Sequence, residues 1–295
     1  MTARDLSGAP VAEAIRQRTT ELVGRLAGAA VTARVAVVVA TGNEATAWYV
    51  RSIERAAAQL GVECQVVDLA GATHQQLAET ITALNEDASV HGIILQTPLP
   101  PAVDAAALVA LIDPAKDIDG ANPLSLGRLS VGQPAFAPAT ARSVIEILEH
   151  YRIPLSGQHV AVVGRSAVVG KPLAQLLLQR DATVSICHSK TADLGRITKS
   201  ASVIVMAVGK ANLLTANEAG ETSVVIDVGT NVNAEGKLVG DVHAALVRPL
   251  VRALSPVPGG VGTVTTALLV LHAAQAAEAS LQLDPAKGAH MAGRR

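Results

Sequence analysis

A run of residues that could hold phosphate lies just past the middle of the chain. Gly164-Arg165-Ser166-Ala167-Val168-Val169-Gly170-Lys171-Pro172 follows directly on the apolar stretch Val160-Ala161-Val162-Val163. A buried strand that ends in a glycine turn and opens a helix presents backbone N–H groups to an anion. Gly164 stands where the backbone must turn, and Gly170 permits close packing of helix on strand. The spacing is Gly-x-Ser-x-x-x-Gly rather than the commoner Gly-x-Gly-x-x-Gly, so alone it suits an ordinary turn equally well. After the next apolar run comes Cys187-His188-Ser189-Lys190. Many dinucleotide-binding folds carry a carboxylate there for the ribose hydroxyls. Here the cluster has none, and Arg165, His188, Ser189 and Lys190 together suit a 2′-phosphate, which favours NADP over NAD. Singly, each reads as a solvated loop residue.

Other candidates are scattered. Tyr49 belongs to a very small aromatic set: one Trp, two Tyr and one Phe. In such a chain a stacking role for a flat ligand competes evenly with ordinary packing. Ile53, one turn further on, shares its helix face. Gln96 closes the apolar run 91–96. Asp117 and Asp119 stand in Lys116-Asp117-Ile118-Asp119-Gly120, where loop aspartates cap turns or meet ligands. Neither a zinc-type cluster nor a nucleophile elbow is present in the sequence.

The elements that would position these residues follow from hydrophobic periodicity. Residues 11–26 read as an amphipathic helix, 35–39 as a buried strand and 45–60 as a helix ending at Gly61. Residues 64–69 and 91–96 read as strands around a helix at 74–84. The β-α-β-α-β order predicts a mostly parallel sheet. Residues 113–138 read as a long irregular segment, and loops of that length inside compact domains are usually functional. A helix over 139–151 follows, then strands at 160–163, 184–187, 203–208 and 224–228. An apolar helix at 263–277 precedes a frayed tail over 281–295. In open sheets of this kind ligands bind beyond the carboxyl ends of the strands, where Gln96, Arg165, Ser166, His188, Ser189, Lys190 and Gly209 all fall.

Composition narrows the possibilities. The 295 residues suit two domains, and 49% hydrophobic content with 1% aromatics implies an aliphatic core. A net charge of −1 excludes the general basic field of a nucleic-acid-binding protein. No apolar run is long enough to predict a membrane span, and residues 1–5 lack a signal-peptide core. Cys64 and Cys187 are expected as buried free thiols. A soluble cytoplasmic protein is the expectation.

Taken together, these motifs resemble the bifunctional methylenetetrahydrofolate dehydrogenase/cyclohydrolase family over nearly the whole chain. The resemblance rests on Gln96-Thr97-Pro98-Leu99-Pro100, Lys116 to Gly120, the glycine turn, Cys187-His188-Ser189-Lys190-Thr191, Val225-Ile226-Asp227-Val228-Gly229-Thr230-Asn231 and Pro256-Val257-Pro258-Gly259-Gly260-Val261-Gly262. It implies an α/β protein of two domains. Residues 1–139 plus 265–295 would form a catalytic, folate-binding domain, and 140–264 a Rossmann-like NADP-binding domain, with a cleft between them. It also implies a homodimer, with neither nucleic acid nor membrane as partner, acting on a tetrahydrofolate derivative. By motif, Tyr49, Gln96 and Asp119 would be catalytic, Tyr49 stacking on the folate and Asp119 hydrogen-bonding the pterin. Pro258, Gly259 and Gly260 would line the folate site. Gly164, Arg165, Ser166, Val169, Gly170, His188, Ser189 and Thr230 would hold NADP. The family oxidises 5,10-methylenetetrahydrofolate to the methenyl cation, then hydrolyses that to the 10-formyl compound.

One departure changes the expected chemistry. The family helix reads Tyr-x-x-x-Lys with a catalytic lysine, whereas here Ile53 holds the lysine position. Arg51 and Arg55 lie about 200° around the helix, and Glu54 about 100°. Arginine is also a poor general base. Smaller departures are Thr97, Ala139, Ala141 and Thr263. Hydride transfer depends mainly on proximity, while water attack needs acid–base help. Dehydrogenase activity with a weak or absent cyclohydrolase step is therefore expected. The alternatives are a non-catalytic folate- or dinucleotide-binding paralogue and an enzyme redirected to another substrate.

Overall fold

The computed structural model describes residues 3–283. In chain order the first elements are β1 (Arg4–Asp5), α1 (Gly8–Gly28), β2 (Arg34–Val39), α2 (Glu44–Gln59), β3 (Glu63–Asp68), α3 (His74–Glu86) and β4 (Gly92–Gln96). Then come α4 (Ala105–Leu111), α5 (Pro123–Ser130), α6 (Ala139–His150), β5 (His159–Val163), α7 (Gly170–Leu178), β6 (Thr183–Cys187) and α8 (Leu194–Ser200). The last are β7 (Val203–Met206), β8 (Val224–Asp227), β9 (Asn231–Val232), β10 (Leu238–Val239), α9 (Ala244–Val247), β11 (Ala253–Leu254) and α10 (Val261–Leu283).

The described residues form two compact units. One holds the residues up to Glu13 together with Leu129–Gln133 and Pro138–Thr265; the other holds Ala14–Arg128, Pro134–Ala137 and the residues from Thr266 onward.

In the second unit three parallel strands lie in the order β3-β2-β4. The central strand β2 is a near-continuous valine run and is buried from Val35 to Val39, as a strand covered on both faces should be. Helix α3 buries Leu77, Ile81 and Leu84 in one cluster with Ala36, Val38, Ile93 and Leu95. Those positions, four and three apart, make one apolar stripe. Its start is fixed by a capping box in which the Gln76 amide donates to Thr73 Oγ1 and the Thr73 amide to Gln76 Oε1.

In the first unit six parallel strands lie in the order β1-β11-β8-β7-β5-β6. From β5 the chain crosses to β6 on one side, then returns to β7 on the other. The carboxyl ends of β5 and β7 therefore flank a topological switch point, the place where doubly wound sheets bind ligands. One face of the sheet buries Ala161, Val163, Ile204, Met206, Val225 and Leu254 in a single aliphatic cluster.

Four expectations need correction. Residues 113–138 are not uniformly irregular, because α5 lies within them. Asn122-Pro123 announces it: Asn122 Oδ1 accepts the Leu124 amide at 2.7 Å, and proline is favoured in a first helical turn. Cys64 is only half-buried, since β3 is an edge strand, whereas Cys187 is fully buried; both thiols are free. Among the described residues, one helix is long and apolar enough to cross a membrane by length and composition: Val261–Leu281, with mean hydropathy 1.2. Its hydropathy comes from Ala, Val and Leu spread around all its sides, and 72% of it is buried inside the protein, as in the core helix of a globular fold. Finally, the tail expected to fray from residue 281 is helical through Leu283, and the rest of it lies outside the described residues.

Candidate functional site

In the first unit the glycine turn is built by three backbones in contact. Gly164 has φ +131°, and a Cβ there would overlap the Ala207 carbonyl; a Cβ on Gly170 would overlap the Gly164 carbonyl. Only glycine satisfies both positions. The helix opening itself is less free than its sequence suggests. The Val169 and Gly170 amides donate to Ser166 Oγ at 3.1 and 3.4 Å, and the Lys171 amide to the Ser166 carbonyl. Pro172 has no N–H to offer. An anion would thus meet the exposed turn 165–168 rather than the first turn of α7.

Register brings the second cluster alongside. Val163 pairs with Cys187, so the turns leaving β5 and β6 start side by side. The His188 amide donates to Thr191 Oγ1 at 2.8 Å, and the Lys190 amide donates to His188 Nδ1 at 3.1 Å. Accepting at Nδ1 leaves the imidazole proton on Nε2. Arg165, Ser189 and Lys190 are exposed beside this turn. Two cations, two hydroxyls and an imidazole at the end of adjacent strands suit an adenosine 2′-phosphate, so these residues fit NADP. Val169 is half-buried and Thr230 exposed after β8. Pro258 and Gly259 are exposed, while Gly260 is buried against the Pro256 carbonyl.

In the second unit Tyr49 and Asp119 come together. The Tyr49 hydroxyl is pushed well above its ordinary pKa by burial, and further by the negative charge of Asp119. It therefore stays a neutral donor at any physiological pH. Ile53, one turn along α2, is 1% exposed. Glu54 points elsewhere: it lines a surface hollow of about 700 Å³ with Arg34, Glu63 and Cys64, so it is no substitute for a lysine at position 53. Gln96 ends β4 and turns its amide onto the Thr97 carbonyl at 2.8 Å.

The segment carrying Asp119 is fixed by contacts that sequence reading missed. Lys116 Nζ donates to the carbonyls of Leu84, Asn85 and Asp87 at 2.7–2.9 Å, closing the end of α3. Asp117 is 1% exposed, and its carboxylate accepts the Ala121 and Asn122 amides at 3.0 and 2.9 Å. Burial raises its pKa despite these bonds. His272 Nδ1 lies 2.8 Å from the Ile118 carbonyl, with Phe136 against its ring. Of the two loop aspartates, Asp117 thus forms the turn, and Asp119 is the one left beside Tyr49. A lysine that closes a helix end is a known cap type, but the helix Lys116 closes lies about 30 residues upstream, so no local spacing announces it.

Comparisons with known proteins cover nearly the whole chain. Residues 6–119 match the family described as tetrahydrofolate dehydrogenase/cyclohydrolase, catalytic domain, and residues 138–281 match its NAD(P)-binding domain. The protein named bifunctional protein FolD 1 from Paenarthrobacter aurescens is 59% identical over 278 residues, covering 94% of this chain and 95% of that one. Bifunctional protein FolD from Arthrobacter globiformis is 58% identical with the same coverage. The solved bifunctional dehydrogenase/cyclohydrolase from Campylobacter jejuni superposes with a TM-score of 0.91 at 35% identity, covering 94% of this chain and 99% of that one. The Trypanosoma brucei enzyme, solved with NADP cofactor and an inhibitor, gives 0.91 at 32% identity, covering 96% and 99%. A sheet with a glycine-lined switch point, a tyrosine–aspartate pair on a separate α/β unit and matches along nearly the whole length lead to one conclusion: the chain belongs to the bifunctional tetrahydrofolate dehydrogenase/cyclohydrolase family, with a catalytic domain followed by an NAD(P)-binding domain.

Proposed function

We propose that this chain oxidises 5,10-methylenetetrahydrofolate to the 5,10-methenyl cation with NADP⁺, and that its cyclohydrolase step is weak or absent. The observation that carries the reading is the helix face of α2: Tyr49 beside Asp119, with fully buried Ile53 one turn on. When bound, NADP⁺ supplies the hydride acceptor. The protein's own part is to hold two rings at reacting distance, which accounts for much of the barrier lowering in such transfers. Tyr49 stacks on the folate and offers a hydroxyl proton, and Asp119 accepts from the pterin N–H groups. Gln96 contributes to the polar network. Pro258, Gly259 and Gly260 give a surface without bulky side chains. Gly164, Val169 and Gly170 shape the turn, while Arg165, Ser166, His188, Ser189 and Thr230 bind the phosphate and ribose of the dinucleotide.

Water attack on the methenyl carbon is a different task. It needs a group that takes the proton from the attacking water, and an aliphatic side chain offers none. In this reading residues 1–139 plus 265–295 bind folate and 140–264 bind NADP. The chain works in the cytoplasm, in keeping with its two free thiols. It is a homodimer, for which the open edge of β3 offers unpaired backbone groups.

The test is a paired assay on the purified protein, giving it methylenetetrahydrofolate with NADP⁺ or with NAD⁺. Reduced cofactor and methenyl product should rise together, faster with NADP⁺, and methenyl should accumulate. Absence of turnover with either cofactor overturns the reading.

A further inference from the structure

The segment from the end of β8 to the start of α9 contains two aspartates that no step above uses. Asp241 is fully buried. Its Oδ2 accepts the amides of Val208 and Gly209 at 2.6 and 3.0 Å, and its Oδ1 accepts the Lys210 amide at 2.8 Å and the Asn231 side-chain amide at 3.0 Å. Asp227, at the end of β8, in turn fixes the backbone around Asp241: its Oδ1 accepts the Gly229 and Asp241 amides and its Oδ2 the Val242 amide, at 2.9–3.0 Å. The two carboxylates are interlocked with glycines. A Cβ on Gly229 would overlap the Asp241 carboxylate, and one on Gly240 would overlap that of Asp227.

Val208, Gly209 and Lys210 are the exposed residues that leave β7, immediately after Ala207, whose carbonyl touches Gly164. They form the wall of the switch point opposite the glycine turn. Asn231 follows Thr230 on the neighbouring strand end. One buried carboxylate therefore holds both loops that face the crevice from the β7–β8 side.

We propose that Asp241 is a positioning residue for the dinucleotide site, setting the backbone of residues 208–210 and the Thr230–Asn231 corner against which the cofactor docks. This rests on the NADP reading above. Three backbone amides and one side-chain amide bonded to one buried carboxylate make these loops a fixed surface, and preorganised surfaces bind more tightly than surfaces ordered on binding.

The test uses Asp241→Asn, which keeps the shape but turns N–H donors toward N–H donors. Two readouts are compared with wild type: amide exchange at Val208, Gly209 and Lys210, and KM for NADP⁺ and for methylenetetrahydrofolate measured separately. The expected result is faster exchange at those amides, a KM for NADP⁺ raised by about tenfold and a folate KM changed less than about twofold, the scale of a lost charge-assisted bond. A merely structural role would lower kcat through loss of folded protein and leave the NADP⁺ KM alone. If Asp241→Asn does not fold, Asn231→Ala removes one of the four donors and should raise the NADP⁺ KM by about threefold. An unchanged NADP⁺ KM in the folded variant, with accelerated exchange, overturns the role of Asp241 alone. Wild type that neither binds NADP⁺ nor turns over overturns the cofactor reading, and the role of Asp241 with it.

Discussion

Restoring a basic group at position 53 is the sharpest perturbation of the proposed chemistry. In Ile53→Lys the new amine lies one helical turn from Tyr49, on the same face of α2. If general acid–base help is what the native site lacks, its return should speed methenyl hydrolysis by about 100- to 10,000-fold. That is roughly 3–5 kcal/mol of barrier. The cost falls on stability. Ile53 is 1% exposed, so the substitution gives up about 1.5–3 kcal/mol of apolar burial and places an amine where desolvation disfavours its charge. Such a lysine has a lowered pKa in the folded state. The unfolded chain then binds more protons, and the variant's deficit shrinks as pH rises. The assay follows decay of methenyltetrahydrofolate without nucleotide, above the spontaneous rate, alongside melting at pH 6.5 and 9. Wild type that already hydrolyses methenyl far above the spontaneous rate would refute the reasoning about Ile53. A folded, dehydrogenase-active Ile53→Lys with no gain would show that Thr97, Ala139, Ala141 or Thr263 also block the step.

Three further outcomes are expected. Lys116→Met leaves the carbonyls of Leu84, Asn85 and Asp87 without their ammonium; it should cost about 2–4 kcal/mol in urea unfolding and raise the folate KM more than the NADP⁺ KM. Arg165→Ala should lower the preference for NADP⁺ over NAD⁺ by about tenfold or more, read as the ratio of kcat/KM values, since a charge-assisted phosphate contact is lost. Burial, with the nearby Asp241 charge, pushes Asp227 up from 3.8 to about 6, against three backbone N–H donors. A carboxyl whose pKa is raised on folding binds its proton more tightly in the native state, so its contribution is full below pH 3.8 and is lost as pH rises to 6. The difference in unfolding free energy between wild type and Asp227→Asn should accordingly change by up to about 3 kcal/mol between those pH values; a flat difference would refute the raised pKa.

Regular elements were legible where local pattern decides them. The valine run of β2, the stripe Leu77-Ile81-Leu84 and the glycine turn at 164–170 are all set by near neighbours in sequence. Elements stabilised from far away were not. The strands Arg4–Asp5 and Ala253–Leu254 are two residues long and exist because they pair with each other and with β8. Helix α5 hid in a segment whose charged beginning suggests a loop. Within the site, Tyr49 and Asp119 were legible through the family resemblance, and the structure adds their proximity. The roles of Lys116, Asp241 and His272 were not legible, because each acts on a backbone remote in sequence, and hydrogen bonds to remote carbonyls or amides leave no spacing rule behind.

The pairing of β1 with β11 also shapes how the protein is made. The Leu6 amide donates to the Leu254 carbonyl, and the Gly8 amide to the Gly259 carbonyl. Strand β1 must therefore wait during synthesis for a partner some 250 residues behind it. At roughly 5–20 residues per second that is on the order of ten to fifty seconds of translation. A fragment expressed from residue 138 onward would lack this strand and bare the edge of β11, a ready template for association between copies. The dinucleotide-binding half is contiguous as a family match but not as a folding unit, and dissecting the protein for separate study requires carrying its first residues along.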